Sequence, residues 1–213
     1  MKPLQTIEDA ARKIAPGRAP YFVEVHVAKV LLVISSQGPV GRVNLAKALR
    51  LGEGSIRTLI RHLEKAELIE TSKEGLVLTA AGKKLASSLK SMISEAMEVP
   101  KSGLTVGAFN MAILVRGSAG FVRSGLEQRD AAIKVGAQGA TTLIFNQGKL
   151  TMPSTNEDVF RKLPEMGDVL ISQLKPQEND MIVIGSADDR LTAEFGAIAA
   201  ALETLKIRKS EVR

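Results

Sequence analysis

Apolar residues at Phe22, Val23, Val27, Val30, Leu31 and Ile34 recur at helical spacing, and Gly38-Pro39 closes that run. A shorter run, VNLAKALR, predicts a second helix with Leu45, Ala46 and Leu49 inward. Leu51-Gly52-Glu53-Gly54 interrupts it with a turn. Ile56, Leu59, Ile60 and Leu63 then form the inward stripe of a helix from about Gly54 to Ala66. That stripe leaves Ser55, Arg57, Thr58, Arg61, His62 and Lys65 on or near the outer face. Two short alternating runs, Leu68–Thr71 and Gly75–Leu78, are joined by Ser72-Lys73-Glu74 and predict a hairpin with a charged tip. Thr79 is placed to cap a further helix reaching about Met97, with Leu85, Leu89, Met92, Ile93 and Met97 on one side.

Past Val99–Gly103, which reads as a linker, the pattern changes to alternating strands and helices. Strands are expected at Leu104–Val115 and Ala140–Asn146, then at Lys149–Met152 after a Gln147-Gly148 turn, and at Met181–Gly185. Helices are expected at Gly125–Val135, at about Glu157–Leu163 and from about Leu191 to Lys206, whereas Met166–Ser172 fits either state. The fold class is therefore α+β. A lead-in at 1–19 precedes a winged helix-turn-helix domain at 20–98, and a mixed α/β sandwich-type domain follows at 103–213.

Charge sharpens this division. The net charge is +6, with 15 basic against 10 acidic residues up to Glu98 and 14 against 13 beyond it. A basic first half beside a nearly neutral second half suits one domain that meets a polyanion and one that does not. The absence of cysteine rules out disulfides and thiolate metal sites, and with only His26 and His62 to offer imidazole no structural zinc site is expected. The most apolar stretch, Val27–Ile34, is broken by Lys29 and falls far short of the roughly 20 residues a membrane span needs. No membrane partner and a cytoplasmic location are therefore expected.

The basic side chains suit a duplex. Arg57 and Arg61, four residues apart, point from one helix face, where a guanidinium can bond a guanine edge in two places or hold a phosphate. Ser55 and Thr58 are short hydroxyls near the start of the same helix. Arg42, Lys47, Arg50, Lys65 and Lys73 surround them as backbone contacts, with Lys73 at the hairpin tip. The order helix, turn, basic helix and hairpin is that of a winged helix. LGEGSIRTLIRHLEKAELIE followed by LVLTAAGKKL resembles the winged-helix domains of bacterial and archaeal transcription regulators. The resemblance implies base reading by Ser55, Arg57, Thr58 and Arg61, with a wing at Ser72–Gly75. Through RDAAIK at 129–134, GATTLIF at 139–145, Gly148-Lys149-Leu150 and Pro153, the whole chain resembles an archaeal family with a carboxyl-terminal domain of unknown function.

The second half offers little chemistry. It has no histidine or cysteine for a nucleophile pair, and no GxGxxG or GxxxxGK loop. No catalytic residue, metal or cofactor is expected. Gly185 and Ser186, where a buried strand opens into a helix, could meet an anion, although Asp188 and Asp189 would cap that helix and repel a phosphate. Arg129, Asp130 and Asn146 are further polar positions suited to a ligand. The expectation is a homodimeric regulator that binds double-stranded DNA and whose second domain senses a small-molecule effector or mediates dimerisation. The competing readings are a metabolite-converting enzyme with a regulatory winged helix, and a winged-helix adaptor between proteins.

Overall fold

The computed structural model describes residues 3–12, 21–153, 155, 158, 161 and 163–211. The chain divides into two compact units, residues 1–90 and 91–213. The helix expected at 157–163 falls largely outside the described residues.

In the first unit, α1 (Pro3–Ala11), α2 (Glu24–Gln37), α3 (Arg42–Leu49) and α4 (Glu53–Lys65) precede the strands β1 (Ile69–Ser72) and β2 (Gly75–Leu78). Within the segment read as a lead-in, α1 buries Leu4, Ile7 and Ala10 at helical spacing. The stripe on α4 is buried as its periodicity requires, with Leu59 and Leu63 fully enclosed. Each such side chain contributes about 1.5–3 kcal/mol by leaving water.

The hairpin turns through Lys73 and Glu74, and β2 takes Val40 on its other side through a pair of 3.0 Å backbone hydrogen bonds with Leu76. Thr79 caps α5 (Ala80–Met92) by accepting the Gly82 N–H at 3.0 Å. The first turn of α5 lies directly on the backbone of Leu68. A Cβ on Gly82 would be driven into the Leu68 carbonyl oxygen, and would stand 2.9 Å from the carbonyl carbon.

His26 is half-buried at the start of α2, where its Nδ1 accepts the Val23 N–H at 3.1 Å. Burial pushes its pKa below the ordinary imidazole value. The native state therefore takes up the proton at lower pH than the unfolded chain, so stability falls as pH drops below about 6.5. Urea unfolding of the first unit should show this loss between neutral and mildly acid pH, and His26→Gln should flatten it. An unaltered slope in the variant would assign the effect to other groups.

The second unit is built on one antiparallel sheet in the order β3-β4-β7-β5-β6. These strands are β3 (Met97–Glu98), β4 (Phe109–Val115), β5 (Gly139–Asn146), β6 (Lys149–Thr151) and β7 (Met181–Ala187). The three inner strands are long, and the outermost two have two and three residues. Ala112, Leu114, Leu143, Ile182 and Ile184 turn to one face, where α7 (Pro164–Leu174) covers them with Met166 and Leu170. The other face carries α6 (Leu126–Lys134) and the long α8 (Arg190–Glu211).

Sequence expectations change here, the strand expected from Leu104 beginning only at Phe109. The helix expected to reach Met97 ends at Met92, because the backbone beyond it joins the sheet: Ile93 bridges Val115, and Met97 and Glu98 pair with Ala112 and Met111. The ambiguous segment 166–172 is helical, started by Pro164 at its first turn.

Candidate nucleic-acid interface

The turn between α3 and α4 is set by Arg50, whose left-handed backbone (φ 50, ψ 38) ends α3, and by Gly52, the extended residue before α4. Leu49 and Leu63 are buried on either side of it, so the outer face of α4 is held at a fixed angle. Arg57 and Arg61 are both exposed on that face.

Their settings differ. The Arg57 Nη2 lies 2.8 Å from Oε1 of Glu53, one turn earlier, which orients the guanidinium. Arg61 has no ion-pair or hydrogen-bond partner among the described residues, so its donors are open to a ligand. Thr58 gives its hydroxyl proton to the Gly54 carbonyl at 3.0 Å, and its oxygen retains the capacity to accept.

Between α4 and the hairpin is a cleft of about 480 Å³, lined by Arg42, Arg57, Arg61, Glu64, Thr71 and Leu76, among others. Three guanidiniums against one carboxylate make it cationic. Glu64 is further engaged by the Thr71 hydroxyl at 2.9 Å. A cleft of this sign favours anions, and arginine geometry favours phosphate. Lys73 is exposed at the hairpin tip, where the Ser72 hydroxyl bonds the Gly75 carbonyl at 2.8 Å and fixes the turn. Lys47, Arg50 and Lys65 are exposed at the margins, and Ser55 is half-buried near the start of α4.

His62 departs from its expected place. It is 7% exposed, its Nδ1 lies 3.1 Å from the Ala10 carbonyl, and its ring is T-shaped to that of Phe22 with centroids 5.1 Å apart. Periodicity within α4 gave no sign that α1 and Phe22 close over this side. Sequence reading also passed over Glu53, although its spacing of four from Arg57 was a signal for the pair.

In the second unit Asn146 lies apart from the other expected ligand positions, whereas the Arg129 stem approaches Gly139, which pairs with Ser186. Arg129 and Asp130 pair with each other at 3.0 Å on the exposed side of α6. Gly139 faces Ser186 across the ladder, and Asn146 lies at the far end of the same strand, roughly 23 Å away. Gly185 is occupied by packing: a Cβ there would collide with Ala193 and Ala197 of α8. Ser186 is buried and gives its hydroxyl proton to Asn110 Oδ1 at 2.7 Å. Asp189 caps α8 by accepting the Thr192 N–H at 3.1 Å, whereas Asp188 accepts the Gln138 amide at 2.7 Å. Among the described residues no group of three or more His, Cys, Asp or Glu could hold a metal ion, and no helix is long and apolar enough to cross a membrane.

Fold and surface thus define the class: a winged-helix domain of helix-turn-helix type followed by an antiparallel α/β domain. Residues 27–93 match the family model described as the CggR N-terminal DNA binding domain, and residues 106–205 match that of a domain of unknown function, DUF4443. A solved structure, a hypothetical protein from Pyrococcus horikoshii OT3, is similar at 29% identity and a TM-score of 0.69, over 91% of this chain and 96% of that one. No curated protein matches. The chain therefore resembles an archaeal protein and has the domain order of a regulator with a carboxyl-terminal domain of unknown function.

Proposed function

We propose that this chain is a transcription regulator that binds double-stranded DNA through its first domain, and that its second domain senses a small ligand or mediates dimerisation. The observation that carries the reading is the cleft in which Arg42, Arg57 and Arg61 meet beside the outer face of α4, in a domain matching a DNA-binding family. In this reading α4 enters the major groove. Arg57, oriented by Glu53, reads a base edge, with Ser55 and Thr58 beside it. Arg42 and Arg61 take phosphates, Lys73 on the wing reaches a flanking phosphate, and Lys47, Arg50 and Lys65 add to the field.

Fluorescence anisotropy with genomic duplexes, titrated against salt, tests this. Arg57→Ala should weaken specific binding by about 1–3 kcal/mol and relax sequence preference. Arg61→Ala should weaken binding to all sequences and make the salt slope shallower by about one unit. Duplex binding that both variants leave unchanged would remove α4 as the reading element. Absence of salt-dependent binding would remove DNA as the partner.

A further inference from the structure

We infer that Glu53 and Arg57 act together as one reading unit for a single G·C base pair: the guanidinium donates to the guanine, and the carboxylate accepts from the amino group of the paired cytosine. The inference rests on the DNA-binding function proposed above and deepens it, by making Glu53 a specificity-determining residue rather than only a support for Arg57.

A reading helix meets base edges with its N-terminal residues, and Glu53 is the first residue of α4. Gly52 and Gly54 flank it, each with open space where a Cβ would stand, so no neighbouring side chain holds the start of the helix away from a groove floor. The side chains of Glu53 and Arg57 are 71% and 59% exposed. Apart from their own contact, neither has a hydrogen-bond or ion-pair partner among the described residues. An exposed pair one turn apart adds little to stability, and an acid on a face that meets a polyanion lowers affinity. Discrimination between sequences accounts for its presence there, because a repulsive group sharpens specificity.

The pair presents its groups in an order that one base-pair edge matches. The guanidinium offers two donors, Nη1 and Nη2, and the second lies 2.8 Å from an acceptor, Oε1 of Glu53. In the major groove a G·C pair presents two acceptors on guanine, N7 and O6, and then one donor, N4 of cytosine. Guanine O6 and cytosine N4 are themselves hydrogen-bonded across the pair, and so stand about 2.9 Å apart. The two spacings agree, and a guanidinium seated on N7 and O6 brings the carboxylate to N4. An ionised carboxylate has lone pairs to spare for that proton. An A·T pair offers acceptor, donor, acceptor in the same places. Nη2 would then face the adenine amino group and Oε1 the thymine oxygen, like against like at both.

Site selection by the full chain from random duplexes, followed by fluorescence anisotropy, decides the matter. The wild type should select sites with one fixed G·C position, and Arg57→Ala and Glu53→Ala should both relax that same position. Changing it to A·T should weaken the wild type by about tenfold or more, and Glu53→Gln distinctly less, because the amide can donate to the thymine oxygen. Replacing that cytosine alone by pyrimidinone, the same ring without its amino group, should cost the wild type about tenfold more than it costs Glu53→Ala. A role for Glu53 confined to the helix dipole or to orienting Arg57 predicts equal losses in the two proteins on the pyrimidinone duplex. That result would overturn the inference and leave DNA binding by α4 standing. So would a Glu53→Ala variant with the wild-type preference at every position, or a wild type with no preference at all. Failure of the wild type to bind any duplex would overturn both this inference and the function on which it rests.

Discussion

Gly185→Ala should unfold the second domain under conditions in which the wild-type chain stays folded, with a loss of about 3–5 kcal/mol. Gly185 lies in β7, the strand bonded on both sides in the middle of the sheet, and α8 crosses it backbone to backbone. The added methyl would meet the Ala193 carbonyl oxygen, the Ala197 nitrogen and, at 3.0 Å, the Gly196 carbonyl carbon. These are main-chain atoms of a helix, so no rotamer change relieves the overlap and α8 must move as a body. It is confined on its other side, because Gly196 itself has room for no Cβ beside Ala137 (2.7 Å) and Ala132 (3.4 Å). Hydrogen exchange of the intact protein should show the amides of β4, β7 and α8 exchanging roughly two hundred- to five thousandfold faster. Gly120→Ala, where nothing lies within 4 Å, is the control and should change little. Wild-type exchange in the Gly185 variant would show that the helix yields easily and that the crossing is not what sets its place.

The second large effect concerns Gly82→Ala, expected to cost the first domain about 3 kcal/mol or more. The new methyl would enter the Leu68 carbonyl, which itself accepts the Thr79 N–H at 3.2 Å. Displacing α5 to make room would also pull the Gly82 N–H away from its cap, Thr79. Gly54→Ala offers the opposite sign within the same domain. Gly54 sits in α4 with nothing within 4 Å, so alanine there should stabilise by about 0.5–1 kcal/mol through lower unfolded-state entropy. Chemical denaturation of the two variants side by side separates packing from propensity. Equal shifts in both would contradict the close approach at Leu68.

What could be read from the chain follows the range of the interactions. The stripe on α4, the Thr79 cap and the two-residue hairpin turn are local, and each left its signature within a few residues. His62 was placed outward because the group that encloses it comes from Ala10 and Phe22, some fifty and forty positions away. The run from Ile93 to Met97 keeps helical spacing, yet its backbone is claimed by Val115 and Ala112. Such pairing is decided by tertiary contact rather than propensity. At the candidate interface the exposed arginines were legible, whereas the cleft that joins Arg42 to Arg57 and Arg61 depends on how the hairpin folds back beside α4.

The sheet of the second domain keeps its long strands inside and finishes on ribs of two and three residues, the latter also bridged at Thr151 by Asp158. Stacking copies rib to rib into an endless ribbon, the route by which many sheets form fibres, finds almost no template here. Growth of that kind from the described strands of this domain would therefore have to begin on ribs too short to hold a second chain.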